Sequence, residues 1–214
     1  MPLASLPFQI MTDSSRKRLF IGIPCQPADI IPGDGDSGAE SEAPGLTEFL
    51  QRLTRLAGSD APGLRPVPGQ NLHLTLSFLG SMPVADIALI RQAMEQAISA
   101  IPGFELTLRG AGCFRHSLWL GVENHEVLSD TVNRLNRALA SIGMSAGDKR
   151  FIPHVTVARW RPESRFKVSS LLADIAHRHW GRLPVAAVHL YESRTLPQGA
   201  VYSSLHSSFL STLK

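Results

Sequence analysis

One four-residue pattern occurs twice in this chain, as His73-Leu-Thr-Leu76 and His154-Val-Thr-Val157. Each copy alternates polar and aliphatic residues with period two. In a β-strand that spacing turns His and Thr to one face and the aliphatic pair to the other. With eight His among 214 residues and a hydrophobic share of 43%, about 0.06 such tetrads would arise by chance. Two half-buried strands and two related halves follow as the first constraint on the fold.

The rest of the chain supplies elements around those strands. Apolar positions 46, 49, 50, 53 and 56 predict an amphipathic helix, as do 128, 132, 135, 139 and 142. Residues 84–101, closed by Pro102-Gly103, and residues 169–177 also read as helical. Strands are predicted at 18–23, 71–80, 104–108, 117–122, 154–160, 183–193 and 200–210. Gly58 is expected as a helix C-cap, and residues 63–70 as a Pro/Gly turn. Helices inserted among strands and hairpins give an α+β class. Residues 1–16 lack periodicity and predict a flexible N-terminal tail. Residues 26–45, rich in Pro, Gly, Asp, Ser and Glu, predict a flexible loop. Residues 17–214 are then one domain.

Composition narrows the function classes. No apolar run is long enough to span a bilayer, and residues 1–11 lack the basic start and small-residue cleavage site of a signal peptide. Two cysteines without paired spacing, Cys25 and Cys113, read as free thiols of a cytoplasmic protein, with a monomer as the expected state. A net charge of +3 leans weakly toward a polyanionic partner. Lys149, Arg150, Arg159, Arg161, Arg165 and Lys167 crowd one stretch and form either a solvated face or a phosphate-attracting rim. His177-Arg-His179 reads as a surface patch rather than a metal pair, since no third ligand is evident. No Walker-type loop is present, so ATP-dependent ligation is not suggested.

If the two tetrads share a cleft, two imidazoles and two hydroxyls converge. One imidazole can take a proton from water while the other gives one to a leaving oxygen, and the hydroxyls can bond the charged oxygens of a phosphate. The scheme requires no metal or cofactor.

At these tetrads and their flanks the sequence resembles the two-histidine (2H) phosphoesterase superfamily. More closely it resembles the RNA 2′,3′-cyclic phosphodiesterase family, also known for 2′-5′ RNA ligase activity. The resemblance rests on Arg18-Leu-Phe-Ile-Gly-Ile23, Asn71-Leu-His-Leu-Thr-Leu-Ser-Phe-Leu-Gly80, Gly112-Cys-Phe114, Leu118-Trp-Leu-Gly121, Arg150-Phe-Ile-Pro-His-Val-Thr-Val-Ala-Arg159, Leu190-Tyr-Glu-Ser193, Gly199 and Tyr202. It implies a bilobal fold with two antiparallel sheets, a pseudo-twofold axis and a central cleft. It implies hydrolysis of RNA 2′,3′-cyclic phosphates to 2′-phosphomonoesters, and 2′-5′ ligation by the reverse chemistry. By the same analogy His73 is the proton donor, His154 the proton acceptor, and Thr75 and Thr156 share the catalytic positions. The sequence is nearly symmetric about the two histidines, so the reverse assignment stays open. Phe78, Arg159 and Arg150 match substrate-contacting positions. Simple alternation puts Phe78 and Arg159 on the face opposite the histidines, so each strand must bulge or end there, or the two residues are structural. Two rival readings remain: action on small cyclic nucleotide phosphates or 2′-5′ oligonucleotides, and an RNA-binding module without turnover.

Overall fold

The computed structural model describes residues 15–33, 45–59, 61–123, 125–144, 151–162, 164, 166–197 and 199–211. Arg150 and most of the expected tail and loop lie outside them. The strands are β1 (Arg16–Pro24), β2 (Leu64–Pro66), β3 (His73–Pro83), β4 (Phe104–Phe114), β5 (Ser117–Val122), β6 (His154–Trp160), β7 (His179–Val185), β8 (Ala187–Leu196) and β9 (Gly199–Phe209). The helices are α1 (Leu46–Gly58), α2 (Ile87–Ile98), α3 (Glu126–Ser141) and α4 (Val168–Ile175).

The helical periodicities bury what they should. α1 buries Leu46, Phe49 and Leu53, and α3 buries Leu128, Thr131, Val132, Leu135 and Leu139. The ring of His125 caps α3 by accepting from the Leu128 N–H. Helix α1 runs through Gly58, and Ser59 takes the cap position.

All strand pairs are antiparallel, in the order β7-β4-β5-β6-β3-β1-β8-β9, with β2 beside β6. The two sheets implied by the resemblance are two four-stranded halves of one continuous sheet. The halves meet where the motif strands pair, at Leu74 opposite Val155. Beyond that pair the strands diverge, and β2 takes the place beside the C-terminal part of β6. The sheet is also strongly curled. Ala186 alone separates β7, at one edge, from β8, next to the other, so the two ends of the sheet must come together.

Two readings of the sequence are corrected. The stretch 183–193 is not one strand: it is divided at Ala186 between β7 and β8, and β7 starts at His179, ahead of the predicted run. The turn at 63–70 contains the short strand β2. The core is contiguous across both halves. It includes Leu19, Ile21, Leu72, Leu74, Leu76, Leu118, Leu120, Val155 and Val157 together with the apolar faces of the helices. Among the described residues, no helix is long and apolar enough to cross a membrane.

Candidate active site

The seam fixes how the tetrads face each other. With Leu74 opposite Val155 in an antiparallel pair, His73 and Thr156 follow on one side of that pair and Thr75 and His154 on the other. The histidines become diagonal neighbours on one face, about 7–8 Å apart in an ideal ladder. All four side chains are half-buried, with their aliphatic neighbours Leu74 and Val155 fully buried beneath.

Both imidazoles are held alike. Nδ1 of His73 bonds the Asn71 carbonyl oxygen at 2.7 Å, and Nδ1 of His154 bonds that of Ile152 at 2.7 Å. A carbonyl only accepts, so each Nδ1 carries the proton. Each Nε2 is left to take or give one. Asn71 is itself tied down, its side chain donating to the Ala200 carbonyl oxygen on β9 at 2.8 Å. The rings around the pair differ. His73 lies 4.7 Å from the Phe20 ring and 5.0 Å, edge-on, from Tyr202. His154 meets Phe114 edge-on at 5.0 Å and Trp119 at 6.0 Å. Burial pushes the pKa of His73 below its ordinary value, and the charges of Arg159 and His154 add to the effect. The bond to Asn71 opposes it. Burial also raises the Tyr191 hydroxyl to about 12, helped by Cys25.

Phe78 and Arg159 reach the histidine face through matching irregularities. Thr75 pairs with Gly22 and Ser77 with Ile21, so Leu76 is an extra residue in β3. Thr156 pairs with Trp119 and Ala158 with Leu118, so Val157 is an extra residue in β6. Each bulge lets two consecutive residues bury, Leu76-Ser77 and Val157-Ala158, and turns the next one outward. Phe78 is thus 50% exposed, with the Arg18 guanidinium 4.8 Å over its ring. Arg159 is exposed too, and its charge is felt at His73. Strict alternation failed for both residues for the same physical reason.

A family model for the 2′-5′ RNA ligase superfamily matches residues 43–195, more than half of the chain. The chain belongs to the 2′-5′ RNA ligase superfamily. An RNA 2′,3′-cyclic phosphodiesterase of Methanothermobacter thermautotrophicus is 29% identical over 167 residues, 75% of this chain and 90% of that protein. The protein of the same name from Thermotoga maritima is 31% identical over 147 residues, 65% of this chain and 76% of its own. Among solved structures, Escherichia coli LigT in apo form matches with a TM-score of 0.62 at 25% identity, covering 92% of this chain and 99% of that one. TT0787 of Thermus thermophilus shares the fold, with a TM-score of 0.65 at 23% identity, covering 90% of this chain and 97% of that one.

In this superfamily member, several groups around the histidines carry no signal of their own in the sequence. The Asn71 and Ile152 carbonyls are backbone atoms, visible beforehand only as the positions two residues ahead of each histidine. Phe20, Tyr202, Phe114 and Trp119 lie within the motif blocks, but nothing in those blocks says that the Trp119 ring stands beside His154. His177 and His179 are exposed. Among the described residues no group of three His, Cys, Asp or Glu side chains is arranged to hold a metal ion.

Proposed function

We propose that the protein hydrolyses RNA 2′,3′-cyclic phosphate ends to 2′-phosphomonoesters. One observation carries the reading: the two imidazoles come from the strands that join at the seam, and each has Nδ1 committed to a carbonyl, which leaves Nε2 as its proton-carrying atom. In the proposed step Nε2 of His154 takes a proton from water as the water oxygen bonds phosphorus. The bond from phosphorus to the 3′ oxygen breaks, and Nε2 of His73 protonates that oxygen. Two imidazoles on opposite sides of one phosphorus suit this displacement. The Thr75 and Thr156 hydroxyls bond the non-bridging oxygens as charge grows there. Arg159 adds positive charge at the same face, and Phe78 offers an exposed ring beside it. Attack by a 5′-hydroxyl end in place of water gives 2′-5′ ligation. The working unit is a monomer, since one chain carries both histidines, and its setting is the cytoplasm, in keeping with two cysteines that lack paired spacing.

The names of the relatives and the shared fold support this reading over a binder without turnover, which has no need of two matched imidazoles. The test is purified protein in excess chelator with a 2′,3′-cyclic mononucleotide and with an oligoribonucleotide ending in a cyclic phosphate. Hydrolysis of either is expected. Absence of product from both would sink the proposal, and activity abolished by the chelator would sink its reliance on side chains alone.

A further inference from the structure

The two halves of the cleft are related in strand order but not in what covers them. In the row through His154 and Thr75, Gly22 of β1 follows Thr75, His189 of β8 follows Gly22, and Ser207 of β9 follows His189. In the other half Thr156 is followed by Trp119 and then Gly112. Each half thus places one glycine and one ring beyond its threonine, in opposite order.

That order decides where the cleft is open. Trp119 stands next to Thr156, and its ring lies over Gly112 so closely that a Cβ there would fall 2.3 Å from it. This side is filled. On the other side the position next to Thr75 has no side chain, because a Cβ at Gly22 would stand 2.7 Å from the Leu74 carbonyl oxygen. The strip from Thr75 to His189, two strands or roughly 9–10 Å long, therefore carries no side chain at Gly22, and the edge of the Phe20 ring lies 3.6 Å from where a Cβ would stand. A file of rings borders it: Phe20 contacts His73 at 4.7 Å, Tyr191 stacks on Phe20 at 5.0 Å, and His189 stacks on Tyr191 at 5.7 Å.

His189 is held for contact. Its Nδ1 lies 2.9 Å from the Ser207 hydroxyl and 3.5 Å from that of Ser204. In the tautomer in which Ser207 donates to Nδ1, the proton of the neutral ring sits on Nε2 and can be donated. An Nε2–H on the face of the sheet that carries Thr75, bordered by these rings, suits a phosphate oxygen. We infer that His189, set by Ser207, binds the phosphodiester on the 5′ side of the terminal nucleotide, so that the RNA leaves the reaction centre over Gly22. The protein then selects oligoribonucleotide ends over cyclic mononucleotides. This rests on the proposed hydrolysis and adds the direction of the chain.

The test compares kcat/KM for a 2′,3′-cyclic mononucleotide with that for a dinucleotide ending in the same cyclic phosphate. It uses wild type, His189→Ala and His189→Gln, with melting curves to confirm folding. Wild type should prefer the dinucleotide by about tenfold or more. His189→Ala should bring the ratio near one through the KM of the dinucleotide, and His189→Gln, which keeps a donor, should restore part of it. A dinucleotide whose internal linkage is an uncharged methylphosphonate should lose the preference with wild type, a readout that needs no variant. A ratio unchanged in His189→Ala, including a parallel loss on both substrates, overturns the inference. So does full preference for the methylphosphonate. Failure of wild type on every substrate would instead remove the proposed hydrolysis itself.

Discussion

Replacing Leu74 by alanine should cost both stability and turnover, and the two losses report different things. Leu74 is fully buried at the pair that joins the halves of the sheet. Removing three carbons forfeits about 2.4 kcal/mol of burial at about 0.8 per carbon. The cavity left behind brings the cost to about 3–5 kcal/mol. In a chain of this size each kcal/mol lowers Tm by about 2–4 °C, so a fall of about 6–20 °C is expected by calorimetry. The same residue sets the register that makes His73 and His154 diagonal neighbours, and a shift of about 1 Å between reacting groups costs on the order of 100-fold in rate. Leu171→Ala is the control. It empties a buried site on α4, against β4 and away from the seam. It should lower Tm comparably and leave kcat within about twofold. If Leu74→Ala matches Leu171→Ala in kcat as well as in Tm, the seam does not set the geometry of the histidines.

Three further outcomes concern the chemistry. His73→Ala should lose about 10²–10⁴-fold on a 2′,3′-cyclic phosphate but recover most of it on a p-nitrophenyl phosphodiester, whose leaving group needs no proton. Recovery by His154→Ala instead would reverse the two roles. In His154→Ala the residual kcat/KM should fall with rising pH, with its midpoint below pH 6.5. The donor must be protonated, and burial, Arg159 and His154 all lower its pKa, although the variant removes the last of these. A residual rate that climbs with pH would make His73 the base. Arg159→Ala should raise KM by roughly 10–100-fold, the range for a lost charged hydrogen bond; an unchanged KM would return Arg159 to the solvated surface.

Much of the fold was legible because it rests on local period. β5 and β6 run over the predicted residues, and α1 and α3 bury the apolar positions read from spacing. The start of β7 was not legible, since its His-Trp-Gly-Arg-Leu-Pro-Val sequence mixes a glycine and a proline into a strand fixed by pairing with β4. The break at Ala186 is equally non-local: it follows from the curl of the whole sheet. At the site, His73, Thr75, His154 and Thr156 could be put on strand faces from sequence, but their diagonal arrangement depends on one cross-strand register. Phe78 and Arg159 defied alternation because a bulge adds a residue without marking it in the sequence. Arg150 lies outside the described residues.

The central claim is that two histidines from one chain open the cyclic phosphate. Its most direct test is phosphorus NMR of an oligoribonucleotide 2′,3′-cyclic phosphate incubated in chelator with wild type, His73→Ala and His154→Ala, each shown to be folded by circular dichroism. Wild type should give the 2′-phosphomonoester alone, and each variant should leave nearly all of the cyclic phosphate intact over the same interval. A 3′-phosphomonoester product, or a single variant that turns over at the wild-type rate, would contradict it.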